Sequence, residues 1–359
     1  MILLTLLLFA QAVPVRTPLQ EQATKARLAG RLDEAVLGYK RALAATPAWS
    51  EGWYFLGTIH YERDQARECA DAFSRFTKLQ PNVSTGHALL GLCLYQLKQY
   101  PAALSELNES ERIGLPEGDP VTKVASFHAA LLYTKYANFE KALKILGFFS
   151  RDAVVDPKVI ELSGLAALRR PLFPVELPTE DRELVYRVGR AVITAGARRT
   201  AEASKLLEEL VEDFPKQAGL HFVYGTLLLG GDTEAAMKQL EEVVKLEPDH
   251  LPAHVVMGLE YLRQNNFEAA RQCGEKAVRL APANFTSRTL LRRALAEGGF
   301  DLTAGLRELE TAMQLEPGSP QVRIALASAY AKAGRREEAA KQRAEFLRLR
   351  KSIEGGGSQ

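Results

Sequence analysis

Residues 53–81 read WYFLGTIHYERDQARECADAFSRFTKLQP. The stretch alternates large and small residues at helical spacing. Trp53, Leu56, Gly57 and Tyr61 share a face in its first half, and Cys69 and Phe73 do so in its second. Pro81 then stops the second helix, because proline lacks an amide donor and clashes with the preceding turn. A helix, a short break and a second helix make one unit of about 34 residues.

The unit recurs in two residue types at once. Small residues in mid-helix fall at Ala35, Cys69 and Ala103, then at Ala203, Ala236, Ala270, Gly305 and Ala339, at spacings of 33–35 within each block. Prolines at Pro47, Pro81, Pro215, Pro248, Pro282 and Pro317 each follow a small residue by 12. Two markers locked in phase define a repeat array. Small residues are expected where helix backbones approach, since larger ones there would overpack. Ala29-Gly30-Arg31 and Ala333-Gly334-Arg335 read as turns with a left-handed glycine cap.

The pattern resembles the tetratricopeptide repeat (TPR) family, whose signature is W-x2-L-G-x2-Y, A-x3-F, P. Residues 53–81 are its best copy. His254, Met257, Gly258, Tyr261, Ala270 and Pro282 form a second, and His87, Leu90, Gly91, Leu94, Ala103 and Leu107 a third. The resemblance covers nearly all of residues 18–351. It implies an all-α, right-handed solenoid of nine to ten stacked antiparallel helix pairs, in which neighbours bury one another's apolar faces.

The organisation read from the sequence has five parts. Residues 1–12 are expected to be a signal peptide, from the apolar run Ile2–Ala10 and the small-residue site Ala10-Gln11-Ala12. Residues 13–151 form an N-terminal block of about four repeats. Residues 152–183 hold an incomplete repeat with a Pro-rich connector, because Pro171-Leu-Phe-Pro-Val-Glu-Leu-Pro178 cannot be helical where a second helix is due. There Leu172, Phe173, Val175 and Leu177 are expected to pack over the face the missing helix leaves bare, with Thr179 capping the next helix. Residues 184–351 form a C-terminal block of about five repeats with a capping helix from about Arg336 to Lys351, and residues 352–359 a flexible tail.

Composition narrows the function. The 359 residues are 47% hydrophobic and 25% charged, with 46 Lys+Arg against 44 Asp+Glu. That is globular, and it lacks the basic surplus of nucleic-acid binders. The nine-residue apolar run is too short to span a bilayer. No H-E-x-x-H, phosphate-binding loop, G-x-S-x-G or Cys-x-x-Cys occurs. Glu208-Glu209, Glu241-Glu242 and Glu337-Glu338 sit beside basic residues on solvated faces. No catalytic residue, metal site or cofactor is expected. His87, His221 and His254 hold equivalent places in three opening helices, which favours packing. Three sequons (Asn82, Asn108, Asn284) are of a kind frequent by chance. A bridge between Cys69, in an alanine position, and Cys93 on the next helix is conceivable after export but not expected, because the resemblance implies packing that rarely brings Cα atoms within about 7 Å.

In TPR stacks the opening helix of each pair lines the concave face. Residues one, five and eight beyond the Trp53 position should point inward: Tyr54, Thr58 and Tyr61; Ala88, Leu92 and Tyr95; Phe127, Leu131 and Thr134. Further along come Phe222, Val255, Leu259, Leu262 and Ile324. Gln20, Thr24, Phe55, Thr85 and Leu89 stand where some family members carry a Lys/Asn carboxylate clamp, so that clamp is absent. The expected site is an apolar, aromatic-rich groove of Tyr54, Thr58, Tyr61, Leu92, Tyr95, Phe127, Leu131, Phe222, Leu259 and Leu262. The expected protein is an exported, periplasmic or secreted, non-enzymatic scaffold or adaptor. It would be monomeric or part of a hetero-complex, holding a protein or peptide partner, with no nucleic acid and no membrane span. The alternative is an accessory or rare catalytic protein of envelope polysaccharide or peptide processing.

Overall fold

A computed structural model describes residues 16–151, 155–300 and 302–355. The expected signal peptide lies outside them. Among the described residues there are nineteen α-helices and no strand. The chain divides into two compact units, one ending at Ala203 and the other starting at Ser204.

In the first unit the helices pair in sequence: α1 (Pro18–Leu28) with α2 (Leu32–Ala45), α3 (Ser50–Glu62) with α4 (Ala66–Leu79), α5 (Ser84–Gln96) with α6 (Tyr100–Ile113), and α7 (Pro120–Lys135) with α8 (Phe139–Leu146). Then come α9 (Pro157–Ala167) and α10 (Arg182–Gly196). Helix α11 (Thr200–Asp213) holds the division between units. The second unit pairs α12 (Ala218–Leu228) with α13 (Thr233–Leu246), α14 (Leu251–Arg263) with α15 (Phe267–Leu280), α16 (Phe285–Gly298) with α17 (Leu302–Leu315), and α18 (Pro320–Lys332) with α19 (Arg336–Gly355). The chain is all-α and built of stacked TPR-type pairs.

The two sequence markers do what their chemistry demands. Ala35, Cys69, Ala103, Ala142, Ala203, Ala236 and Ala270 are wholly buried. A Cβ on Gly57 would sit 2.8 Å from the Phe73 ring, and one on Gly91 2.8 Å from Leu107, so both glycines mark close helix approach. Helices α2, α4, α11, α13, α15 and α17 each end two residues before their proline. Opening helices end in a six-residue cap in which an amide bonds back five residues: Arg31 to Ala26, Gln65 to His60, Gln99 to Leu94, Asn266 to Tyr261 and Arg335 to Tyr330. The residue before each donor has positive φ. Glycine supplies it at Gly30 and Gly334, while Asp64, Lys98 and Asn265 supply it elsewhere. The apolar stripes meet in continuous cores. Phe73, Phe76, Leu132, Leu146 and Leu162 are fully buried in the first unit, and Leu220, Leu240 and Leu290 in the second. Each large side chain so buried contributes about 1.5–3 kcal/mol.

The break in the repeat resolves differently from expectation. Helix α9 ends in the same cap, with Arg169 at positive φ and Arg170 N–H bonded to Leu165 O. The chain then runs through the proline segment, and α10 packs on α9 as closely as any second helix does on its partner. A Cβ built on Gly164 would fall inside the shell of the Val185 carbonyl oxygen, and one on Gly189 inside that of the Ile160 carbonyl. Backbone meets backbone at both glycines. The bare face of α9 is therefore covered mainly by α10, with the Pro174–Glu176 turn making a smaller contact beside it. This also moves the boundary: the expected division at residues 183/184 would cut α10 from its partner. Thr179 does not cap α10. It opens a 3-10 turn, Thr179–Asp181, that leads into the helix. At the other end α19 runs to Gly355, so the helix continues past Lys351 into the expected tail.

Cys69 and Cys93 are joined as a disulfide, with Cα atoms 5.9 Å apart. The unbridged expectation fails because α4 packs directly on α5, and the alanine position holding Cys69 faces that contact. Cys273 is free and buried, and burial pushes its thiol up to about 11. The expected result of a thiol count on denatured, unreduced protein is one reactive thiol. A count of three would contradict the bridge.

Candidate functional site

The expected groove residues separate by burial. Tyr54, Leu92, Leu131 and Leu262 are 3–6% exposed and belong to the core. Tyr54 lies edge-on to Phe73, at 5.8 Å between ring centroids, and tilted against Phe76 at 5.2 Å. Its hydroxyl faces Thr85 without closing a good hydrogen bond. Burial pushes that phenol up to about 12, the Asp119 carboxylate adds to the rise, and Thr85 partly offsets it. These four side chains face a neighbouring helix instead of solvent, so none is available to a partner.

Five others are half-buried: Thr58, Tyr61, Tyr95, Phe127 and, in the second unit, Phe222. Thr58 spends its hydroxyl on the Phe55 carbonyl at 2.9 Å. Phe222 stacks against His250 at 4.9 Å, while Leu259 is 40% exposed. The expected residues are not gathered into one surface. In the first unit, Tyr61, Tyr95 and Phe127 all pack along the same core with one face left open.

Tyr95 is the centre of an aromatic group that composition and spacing did not reveal. It lies 5.4 Å from Tyr100 and 4.6 Å, edge-on, from His128. Burial pushes the Tyr95 phenol up and the His128 imidazole down, so His128 is neutral near pH 7 and acts as an aromatic edge. The proline segment reaches this group. Phe173, 8% exposed, lies 5.1 Å from Tyr100 and 6.4 Å from Tyr95. Lys135 Nζ stands 5.1 Å from the Phe173 ring centre and donates to Glu176 at 2.7 and 2.9 Å. Glu176 also accepts the Phe173 N–H at 2.7 Å, and these two partners hold its carboxyl below the usual range. Leu177 is buried, Leu172 half-buried, and Val175 is 88% exposed, contrary to the expectation that all four pack down.

The histidines serve the stack. His87 Nε2 donates to Pro81 O at 3.0 Å, His221 Nε2 to Pro215 O at 2.9 Å and His254 Nε2 to Pro248 O at 2.9 Å. A carbonyl only accepts, so the proton is on Nε2 in each. Trp53 Nε1 makes the same bond to Pro47 O at 2.8 Å, Arg323 to Pro317 O at 2.9 Å, and Arg288 to Pro282 O. The shared rule is an N–H donor six residues after the stop proline. It ties each opening helix to the turn before it. That signal was readable in the sequence as Trp, His or Arg at one register.

Among the described residues no group of three or more His, Cys, Asp or Glu is placed to hold a metal ion, and no helix is long and apolar enough to cross a membrane. Asn284 caps α16 through its side chain, and Asn108 accepts from the Tyr133 hydroxyl. Both have structural partners.

Residues 230–285 and 294–342 each match a family described as tetratricopeptide repeat. The chain carries tetratricopeptide repeats. Residues 29–110 match the family described as anaphase-promoting complex, cyclosome, subunit 3. Over 156 residues the chain is 30% identical to cellulose synthase operon protein C of Xanthomonas axonopodis pv. citri (strain 306), an alignment covering 41% of this TPR chain and 10% of that protein. Solved structures similar to this TPR chain include MamA 41-end from Desulfovibrio magneticus RS-1, at 22% identity and TM-score 0.42 over 46% of this chain and 94% of that one. MamA AMB-1 is 24% identical with TM-score 0.40, over 46% and 99%.

Proposed function

We propose that this chain is an exported, non-catalytic scaffold that holds a partner peptide on the opening-helix face of its first unit. The observation carrying the reading is the run of partly open aromatic side chains, Tyr61, Tyr95 and Phe127, set in a rigid helical frame. Aromatic rings anchor peptides with large contact area at low entropic cost. Phe222 and Leu259 supply a smaller apolar surface in the second unit. An envelope setting is supported by the apolar N-terminal run and by the name of the partial relative, a cellulose synthase operon protein. That name also favours a second reading, an accessory subunit of an envelope polysaccharide system.

Affinity capture from the native envelope fraction tests both. Tyr61→Ala with Phe127→Ala is expected to lower partner recovery about tenfold or more, the weight of two anchor residues. The melting temperature should move by only a few degrees, since both side chains are half-open. Unchanged recovery would remove the peptide-holding role. A partner of the polysaccharide machinery would select the second reading. The mature protein is expected to begin at Val13, and an intact Met1 would remove export.

A further inference from the structure

The proline segment sits on the first unit in the manner of a bound peptide. Its backbone is extended at Phe173 (φ −75, ψ 151), Leu177 (φ −73, ψ 124) and Pro178 (φ −57, ψ 146), close to polyproline II geometry. A single 3-10 turn, Pro174–Glu176, lies between. Such segments dock on aromatic surfaces at small entropic cost because they are already stiff.

The contacts divide as they do in peptide recognition. Phe173 enters a slot made by Tyr100 and Tyr95. Lys135 serves two roles at once, facing the ring and pairing with Glu176. Val175 points to solvent and makes no demand on sequence. The slot residues lie on α5, α6 and α7, whereas α9 is covered by α10. The main cover on α9 is thus α10, and the segment adds only a smaller contact there. Its side chains answer a surface that would otherwise present two tyrosines and a cation to water. Arg182 holds the rear of the segment, donating to Pro174 O at 3.0 Å while paired with Glu161 at 2.7 Å.

We infer that the Tyr95–Tyr100–Lys135 face is a recognition site for extended partner segments carrying an aromatic residue followed three positions later by a carboxylate, and that Phe173–Glu176 is the occupant in the partner's absence. The inference rests on the peptide-holding reading above and gives it a ligand chemistry. A tethered occupant competes at a high effective concentration, so the closed protein binds a free peptide weakly and the opened one binds it well.

The test uses fluorescence anisotropy with a fluorescein-labelled PLFPVELP peptide, the sequence of residues 171–178, and the full chain. Opening the face with Phe173→Ala plus Glu176→Ala is expected to tighten binding roughly tenfold or more over the unaltered protein, the scale on which a tethered competitor acts. Adding Lys135→Glu should abolish that gain. A peptide with its Glu changed to Lys should restore it. Should the double variant fail to fold, Glu176→Lys decides the matter. It leaves the Phe173 ring in place, repels Lys135, and should raise peptide binding several-fold. Folded variants that bind no better than the unaltered protein would overturn the inference, as would binding indifferent to the charge at residue 135. A strand-exchanged dimer of Glu176→Lys without peptide binding would assign the face to a second copy and overturn it equally. If peptide binding fails while the envelope partner is still captured through Tyr61 and Phe127, this inference falls and the scaffold reading stands. Loss of both removes both.

Discussion

Replacing Gly164 with alanine is expected to cost the first unit about 3 kcal/mol or more, at the upper end of overpacking penalties. In a unit of this size that is a fall in melting temperature of roughly 6–12 °C. The size of the effect follows from what the new methyl would meet. At Gly57 the obstacle is the edge of the Phe73 ring, a side chain that can tilt. At Gly164 it is the Val185 carbonyl oxygen, fixed in the hydrogen-bond ladder of α10. The helices must move apart, and every side chain between them loses dispersion contact. Gly189→Ala should behave alike, since its methyl would meet the Ile160 carbonyl. Gly147 is the control. It is exposed, with nothing within 4 Å of a built Cβ, and Gly147→Ala should stay within about 0.5 kcal/mol. Thermal melts by circular dichroism measure all three. A Gly164→Ala melt that overlays the unaltered one would mean that α9 and α10 do not touch at the backbone.

The second large effect concerns Tyr54. Tyr54→Ala removes a ring packed against Phe55, Phe73 and Phe76, and should cost about 3–5 kcal/mol. Tyr54→Phe should behave in the opposite way. It keeps the ring and deletes a buried hydroxyl that lacks a well-made hydrogen bond, so stability at pH 7 should hold or rise. The pH dependence gives an independent sign. The native phenol is raised to about 12, above the ordinary value of 10.0. The stabilising contribution of the neutral phenol is full below about pH 10 and is lost as pH climbs toward 12, because the unfolded chain ionises first. Tyr54→Phe should therefore unfold at higher pH in an alkaline titration. If Tyr54→Ala leaves the melt unchanged but abolishes partner capture, Tyr54 is a surface anchor and the core assignment is wrong.

These two cases also show how far the sequence could be read. The spacing from Ala35 to Cys69 to Ala103 and the stop prolines gave helix pairs and their ends to within a residue or two, because period and proline chemistry are local. The α9–α10 contact was not legible. Gly164 and Gly189 look like other small residues, and only the partner backbone reveals their role. Periodicity singled out one face of each opening helix, yet it could not tell which part of that face the next repeat would cover. Tyr54, Leu92 and Leu131 are buried by that neighbour, whereas Tyr61, Tyr95 and Phe127 keep an open edge. Phe173 was read as filling a gap beside α9. It does share a core with α9, and it also reaches Tyr95 and Tyr100, a long-range contact that no local pattern encodes. The cysteine pair failed for a related reason, since distance between neighbouring repeats is set by packing.

Site-specific photo-crosslinking in the native envelope tests the central claim most directly. A photoreactive phenylalanine analogue at Phe127, on the opening helix α7, is expected to crosslink the partner. The same analogue at Lys78, exposed on the second helix α4, is expected to give no crosslink. Partner crosslinks from residue 78 and none from residue 127 would place the working surface on the other side of the helix pairs and contradict the account.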